Sequence, residues 1–219
     1  MQNGAESYEE VACGVDEAGR GPVIGPLVVA LVCGSNKALQ NIGARDSKTL
    51  SPASRERLFF DIQEIASEVS YRIIPPDEIN RRMDSQTLNE IEEDTYASLI
   101  VNSSGRERVY VDSFDVLPER LQHKLSSITK REVICRHHAD SMFPVVSAAS
   151  IVAKVIRDSE IRKLSEKYGN FGSGYPSDPR TVRFLTEALR NGLDISGIVR
   201  KHWSTYRRIL SQVQSGKLF

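Results

Sequence analysis

Apolar side chains run in unbroken stretches near the start of the chain and recur at helical intervals further on. Residues 11–15 form a short apolar run, a Gly/Pro-rich turn follows, and residues 27–32 form a second run. This predicts two neighbouring buried strands joined by a tight connection. Ser51 is placed to cap a helix whose first position is Pro52, with Leu58, Ile62, Ile65 and Val69 at helical spacing behind it. Residues 71–74 read as a strand stopped by Pro75 and Pro76. Leu88, Ile91, Ala97, Leu99 and Ile100 predict a helix over 87–102, ended by Asn-Ser-Ser-Gly. Residues 109–111 and 133–135 are short β-prone runs, and 144–168 is a long helix rich in Ala, Val and Ile. Strands that cluster first and later alternate with helices predict an α/β fold, a mixed sheet of about five strands flanked by helices. Residues 169–219 are read as a basic, mainly helical C-terminal extension packed on a core domain of residues 1–168.

The 219 residues, 40% of them apolar, suffice for a core of ordinary size. No apolar run approaches the ~20 residues that cross a bilayer, and the first ten residues are polar and acidic rather than basic and then apolar. A soluble, cytoplasmic monomer is expected. Cys13, Cys33 and Cys135 are odd in number and lack Cys-x-x-Cys spacing, so they are read as buried thiols rather than as a zinc site or a disulfide. The formal charge is zero, but it is unevenly spread. Residues 1–150 carry 16 Lys and Arg against 23 Asp and Glu; residues 151–219 carry 13 against 6. Metal-binding carboxylates beside a phosphate-gripping surface would give this pattern, and so would chance segregation of solvated charges.

The candidate chemistry lies at strand ends. Asp16 and Glu17 follow the first apolar run, Asp112 closes the run at 109–111, and Asp140 comes shortly after the run at 133–135. Parallel neighbouring strands would bring these acids together at their carboxyl ends. Each acid alone reads more readily as a turn former or helix cap, and only the set is informative. Clustered, they would repel and raise each other's pKa unless a divalent cation intervened, and an all-oxygen ligand set favours magnesium or manganese over zinc. Two such ions about 4 Å apart serve in-line phosphodiester hydrolysis. Immediately after the first pair, Gly19-Arg20-Gly21-Pro22 forms a glycine-rich turn able to present backbone N–H groups to a nucleic-acid backbone, or simply to connect two strands.

The run Asp16-Glu17-Ala18-Gly19-Arg20-Gly21-Pro22, followed by Gly25-Pro26 and an apolar strand, resembles the signature of the ribonuclease HII family. The resemblance continues through Asp46-Ser47-Lys48, Val111-Asp112-Ser113, Ala139-Asp140-Ser141 and the stretch from Val146 to Lys154. The segment from Gly172 to Pro179 is similar to the archaeal and eukaryotic branch, so an archaeal-like member is expected. The resemblance implies a ribonuclease H-like fold and an endonuclease for the RNA strand of RNA/DNA hybrids and for DNA with embedded ribonucleotides. It implies ligation of two Mg or Mn ions by Asp16, Glu17, Asp112 and Asp140. It also implies that Gly19, Arg20, Gly21 and Tyr175 sense the 2′-hydroxyl that distinguishes RNA from DNA. Ser47, Lys48, Lys154 and Arg157 are candidate phosphate contacts that would fix register without reading sequence, and Arg180, Arg183, Arg200, Lys201, Arg207 and Arg208 would extend that grip. His137-His138 and His202 depart from the pattern; they are read as surface histidines, with help in proton transfer to the leaving oxygen as the alternative for a histidine near the metals. The end of the chain, Gln214 to Phe219, is a weak match to peptides that bind sliding clamps. The alternatives are a nuclease confined to long hybrids or DNA junctions, a binding subunit without catalysis, and the catalytic subunit of a larger complex.

Overall fold

The computed structural model describes residues 11–44 and 50–216. Among them it forms five strands, β1 (Val11–Ala18), β2 (Leu27–Ser35), β3 (Glu68–Ile74), β4 (Val109–Asp112) and β5 (Val133–Arg136), in one mixed sheet of order β3-β2-β1-β4-β5. The helices are α1 (Asn36–Asn41), α2 (Pro52–Ile65), α3 (Pro76–Arg82), α4 (Leu88–Asn102), α5 (Pro118–Thr129), α6 (Ala139–Met142), α7 (Pro144–Tyr168), α8 (Pro179–Arg190) and α9 (Ser204–Gln214). None of the described helices is long and apolar enough to cross a membrane.

Local chemistry explains the boundaries. Ser51 accepts the Ser54 amide at 3.1 Å, with Pro52 opening α2. At α4, Thr87 Oγ1 accepts the Glu90 amide while Glu90 Oε2 accepts the Thr87 amide, a reciprocal cap. Three differences from the sequence reading stand out. Strand β1 is longer than the apolar run and continues through Asp16 and Glu17 to Ala18, with Asp16 buried and Glu17 half-buried. Val69 belongs to β3, not to the preceding helix. Helices α1, α3 and α5 were not anticipated, although Leu121 and Leu125 of α5 are both buried at i,i+4 spacing.

The chain falls into two compact units. The first holds the described residues within Met1–Glu17, Val29–Arg72 and Glu92–Val155; the second holds those within Ala18–Val28, Ile73–Ile91 and Ile156–Phe219. In the first unit, Cys13 and Val15 of β1, Leu31 and Cys33 of β2, Val109 and Val111 of β4, and Tyr96, Ile100, Leu121 and Leu125 form one apolar cluster. On the opposite face of β1, Gly14 meets α7 so closely that a Cβ would overlap the Val145 carbonyl and the Val146 nitrogen. Only glycine permits this approach. Cys13 and Cys33 are joined by a disulfide, which corrects the reading of three reduced thiols. A separation of 20 residues hides the pair in sequence, but neighbouring strands bring the two side by side; Cys135 is the free, buried thiol. In the second unit, Val23, Ile24, Phe171, Leu185, Ile198, Val199 and Ile209 form the core that α8 and α9 close.

Candidate active site

Strands β1 and β4 are parallel, with Val15 opposite Val111, so Asp16 and Asp112 emerge side by side at their carboxyl ends. Strand β5 continues the parallel ladder, with Asp112 opposite Arg136. His138, in the left-handed region at φ 56°, then turns the chain into α6 and brings Asp140 back toward the other two acids. One carboxylate oxygen from each of Asp16, Asp112 and Asp140 lies within 4.8 Å of the others. Asp16 and Asp140 are buried, and Asp112 is half-buried and accepts the Ala139 amide at 3.1 Å. Glu17 stands beside the group; its carboxylate accepts the hydroxyl of Tyr96.

The electrostatics suit a cation. Burial, and then the charges of Glu17 and Asp112, push the Asp16 carboxyl well above its usual range, against the opposing pull of a Ser150 hydrogen bond and the Lys154 charge. Burial, followed by Glu17 and Asp16, also pushes the Tyr96 phenol upward. Lys154 reaches the site through Ser150, donating to its hydroxyl at 2.6 Å. Three hard oxygen donors within one ion's reach, in a setting that disfavours ionisation, fit a divalent cation of the magnesium or manganese kind. Ser150 and Tyr96 are site residues that the sequence reading did not assign. The Ser150 signal was present in its spacing of one helical turn from Lys154; Tyr96 gave none.

Gly19, Arg20, Gly21, Arg157 and Tyr175 fall in the second unit. The turn after Glu17 has Gly19 at φ +90°, where a Cβ would come within 2.6 Å of the Pro26 carbonyl oxygen. Its carbonyls are pinned by Arg200, which donates to Gly19 at 2.6 Å, Arg20 at 3.1 Å and Gly25 at 2.9 Å, while the Trp203 indole donates to Gly21 at 3.0 Å. Across each trans peptide the N–H opposes the C=O, so the amides of Arg20 and Gly21 turn away from Arg200. The Arg20 side chain is drawn to Asn89 at 2.7 Å. Tyr175 lies against Gly21, where a Cβ would sit 3.4 Å from its ring. The Arg157 guanidinium stacks 5.2 Å from the centroid of that ring and donates to the Ser173 carbonyl at 2.9 Å.

Gly19, Arg20, Gly21, Arg157 and Tyr175 are therefore gathered together, as Asp16, Glu17, Asp112, Asp140 and Lys154 are in the first unit. Ser47 and Lys48 lie outside the described residues. Arg200 departs from the sequence reading of a surface phosphate contact: it is fully buried, and burial, with the nearby Arg157 charge, lowers its pKa to about 9. His137 is exposed, with its ring within hydrogen-bond reach of the Ser113 and Val116 carbonyls; His202 faces Asp84 at 3.4 Å.

The sequence model of the family Ribonuclease HII matches residues 13–206. The chain belongs to the ribonuclease HII family. It is 51% identical to the ribonuclease HII of Thermoplasma volcanium, over 97% of this chain and all of that protein. The ribonuclease H2 structure from Pyrococcus horikoshii is similar to it with a TM-score of 0.87 and 43% identity, over 93% of this chain and 99% of that one. A PCNA:RNase HII complex from Archaeoglobus fulgidus contains a chain similar with a TM-score of 0.84 and 45% identity, over 89% of this chain and 95% of that one. The ribonuclease H-like fold expected from the sequence is thus present.

Proposed function

We infer that this member of the ribonuclease HII family is an endonuclease that hydrolyses the RNA strand of RNA/DNA hybrids. It also cuts duplex DNA on the 5′ side of an embedded ribonucleotide, leaving 3′-hydroxyl and 5′-phosphate ends. The observation that carries this reading is the convergence of Asp16, Asp112 and Asp140 in a chain of that family. Asp16, Glu17, Asp112 and Asp140 would hold two divalent cations, magnesium or manganese. When bound, these supply Lewis-acid activation of water and neutralise charge building up on the phosphate. The chain's own groups do the rest. Asp112 is held in place by the Ala139 amide, and Lys154, through Ser150, keeps a positive charge beside Asp16.

Recognition of the ribonucleotide falls to Gly19, Arg20, Gly21 and Tyr175. With its carbonyls held by Arg200 and Trp203, the turn would offer backbone amides to a 2′-hydroxyl, an acceptor that DNA lacks. Tyr175, 38% exposed, offers a ring on which the following deoxyribose can stack. Ser47, Lys48, Lys154 and Arg157 complete the proposal as phosphate contacts. The last residues of the chain are proposed to engage a sliding clamp; removing the final eight should abolish co-elution with a clamp ring and leave cleavage unchanged.

The deciding experiment is cleavage of an end-labelled DNA duplex containing one ribonucleotide, with Mg²⁺, with Mn²⁺ and with chelator. A metal-dependent cut 5′ to the ribonucleotide is expected. Cleavage of long hybrids alone would withdraw the sensing role of the glycine turn, and cleavage in chelator would sink the carboxylate mechanism.

A further inference from the structure

Side chains alternate along a strand, so the consecutive acids of β1 leave on opposite faces. Gly14 and Asp16 share the face covered by α7, where Ser150 bonds the Asp16 carboxyl. Cys13, Val15 and Glu17 share the other face, and Cys13 and Val15 pack there in the cluster that holds Tyr96, Leu121 and Leu125. Glu17 therefore comes to the carboxylate cluster from the α4 side, and Tyr96 meets it there with its hydroxyl donating to Oε2. The Tyr96 side chain is sealed from solvent and braced edge-on by Phe114, whose ring centroid is 5.3 Å away and which lies two residues beyond Asp112.

A hydroxyl in so enclosed a place must find an acceptor, and phenylalanine would fill the same space without one. The phenol is a neutral donor. It can orient a carboxylate without cancelling the charge that a cation requires, as a lysine would. A glutamate left to itself has three rotatable bonds through which to lose its aim. We propose that Tyr96 is a positioning residue for metal binding: its hydroxyl holds Glu17 so that the remaining carboxylate oxygen is presented to a divalent cation shared with the aspartates. This rests on the reading of Asp16, Glu17, Asp112 and Asp140 as ligands.

The test is a titration of the full chain with Mn²⁺, followed by calorimetry and by the loss of the free-ion electron paramagnetic signal, in wild type, Tyr96→Phe, Glu17→Gln, the double variant and Asp112→Asn. Partners that orient ligands typically change metal affinity by about 10-fold or more, so Tyr96→Phe should weaken Mn²⁺ by about that factor. In the Glu17→Gln background it should add nothing, which a purely structural tyrosine would not reproduce. Affinity equal to or tighter than wild type in Tyr96→Phe, or the same weakening in both backgrounds, overturns the proposal. Asp112→Asn separates the two readings. If it loses Mn²⁺ while Tyr96→Phe does not, only Tyr96 is withdrawn; if it binds as wild type does, the ligand set itself fails and Tyr96 with it. Should Tyr96→Phe melt before it can be titrated, the Tyr96 hydroxyl proton decides by nuclear magnetic resonance. A slowly exchanging signal lost in Glu17→Ala, which removes the acceptor, supports the contact, and one unchanged in that variant refutes it.

Discussion

Asp115 is sealed from solvent while its partner Arg120 stands half in water, and the two meet through paired hydrogen bonds of 2.6 and 2.7 Å. Hydrogen bonds from Arg120, helped by the Leu117 amide and opposed by burial, hold the Asp115 carboxyl below the usual carboxylate range. The same carboxylate thus ties the start of α5 to the loop after Asp112. A folded-state pKa below the unfolded one means the unfolded chain binds the proton more readily. The stabilisation is then complete above the unfolded value of about 3.9 and is lost as pH falls through the folded value. Asp115→Asn should lower stability by about 1.5 kcal/mol at pH 7, the low end of the scale for a hydrogen bond to a charged group because Arg120 stands half in water. The gap between wild type and variant should close as pH falls from about 5 toward 2, with denaturant melts at each pH as the measurement. A gap that stays constant with pH would assign the effect to packing.

At the scale of elements, the disulfide between Cys13 and Cys33 fastens β1 to β2 three residues before Asp16, within the core that also surrounds Tyr96. Closing a loop of 20 residues restricts the unfolded chain and is worth roughly 3 kcal/mol. In a protein of this size that corresponds to a melting temperature higher by roughly 6–12 °C. Cys33→Ser should melt lower by that amount, and thiol titration in denaturant should find one thiol, Cys135, before reduction and three after. Three thiols before reduction would remove the cross-link from the account.

These elements also mark where sequence reading succeeded and where it stopped. Asp16, Asp112 and Asp140 were legible because each follows an apolar run, and parallel strands turn that regularity into proximity. The disulfide was not legible because strand pairing, rather than spacing along the chain, brings the two cysteines together. Tyr96 looked like any core aromatic, since its role depends on which face of β1 carries Glu17. Arg200 read as a surface cation because nothing local announces that its fork is spent on the carbonyls of Gly19, Arg20 and Gly25.

For the whole molecule, zero formal charge and a polyanionic substrate are reconciled by the uneven spread, with 13 basic against 6 acidic residues from 151 onward. The count overstates the grip. Arg200 is internal, and Arg180 and Lys163 are engaged with Asp178 and Glu160. With those three set aside, neutralisation of roughly four to six phosphates is expected, giving log affinity against log salt a slope of about −4 to −5. Binding of an uncleaved RNA/DNA hybrid in chelator should then fall by about 10² to 10³ between 50 and 200 mM salt, on the order set by counterion release. Recognition of the 2′-hydroxyl through backbone amides carries no such charge term. The preference for a ribonucleotide-containing duplex over plain DNA should therefore stay nearly constant while both affinities drop. Fluorescence anisotropy of the two duplexes across the salt series reads both quantities at once. A flat salt dependence would remove the basic C-terminal region from the interface, and a preference that collapses with salt would place discrimination in charge rather than in the glycine turn.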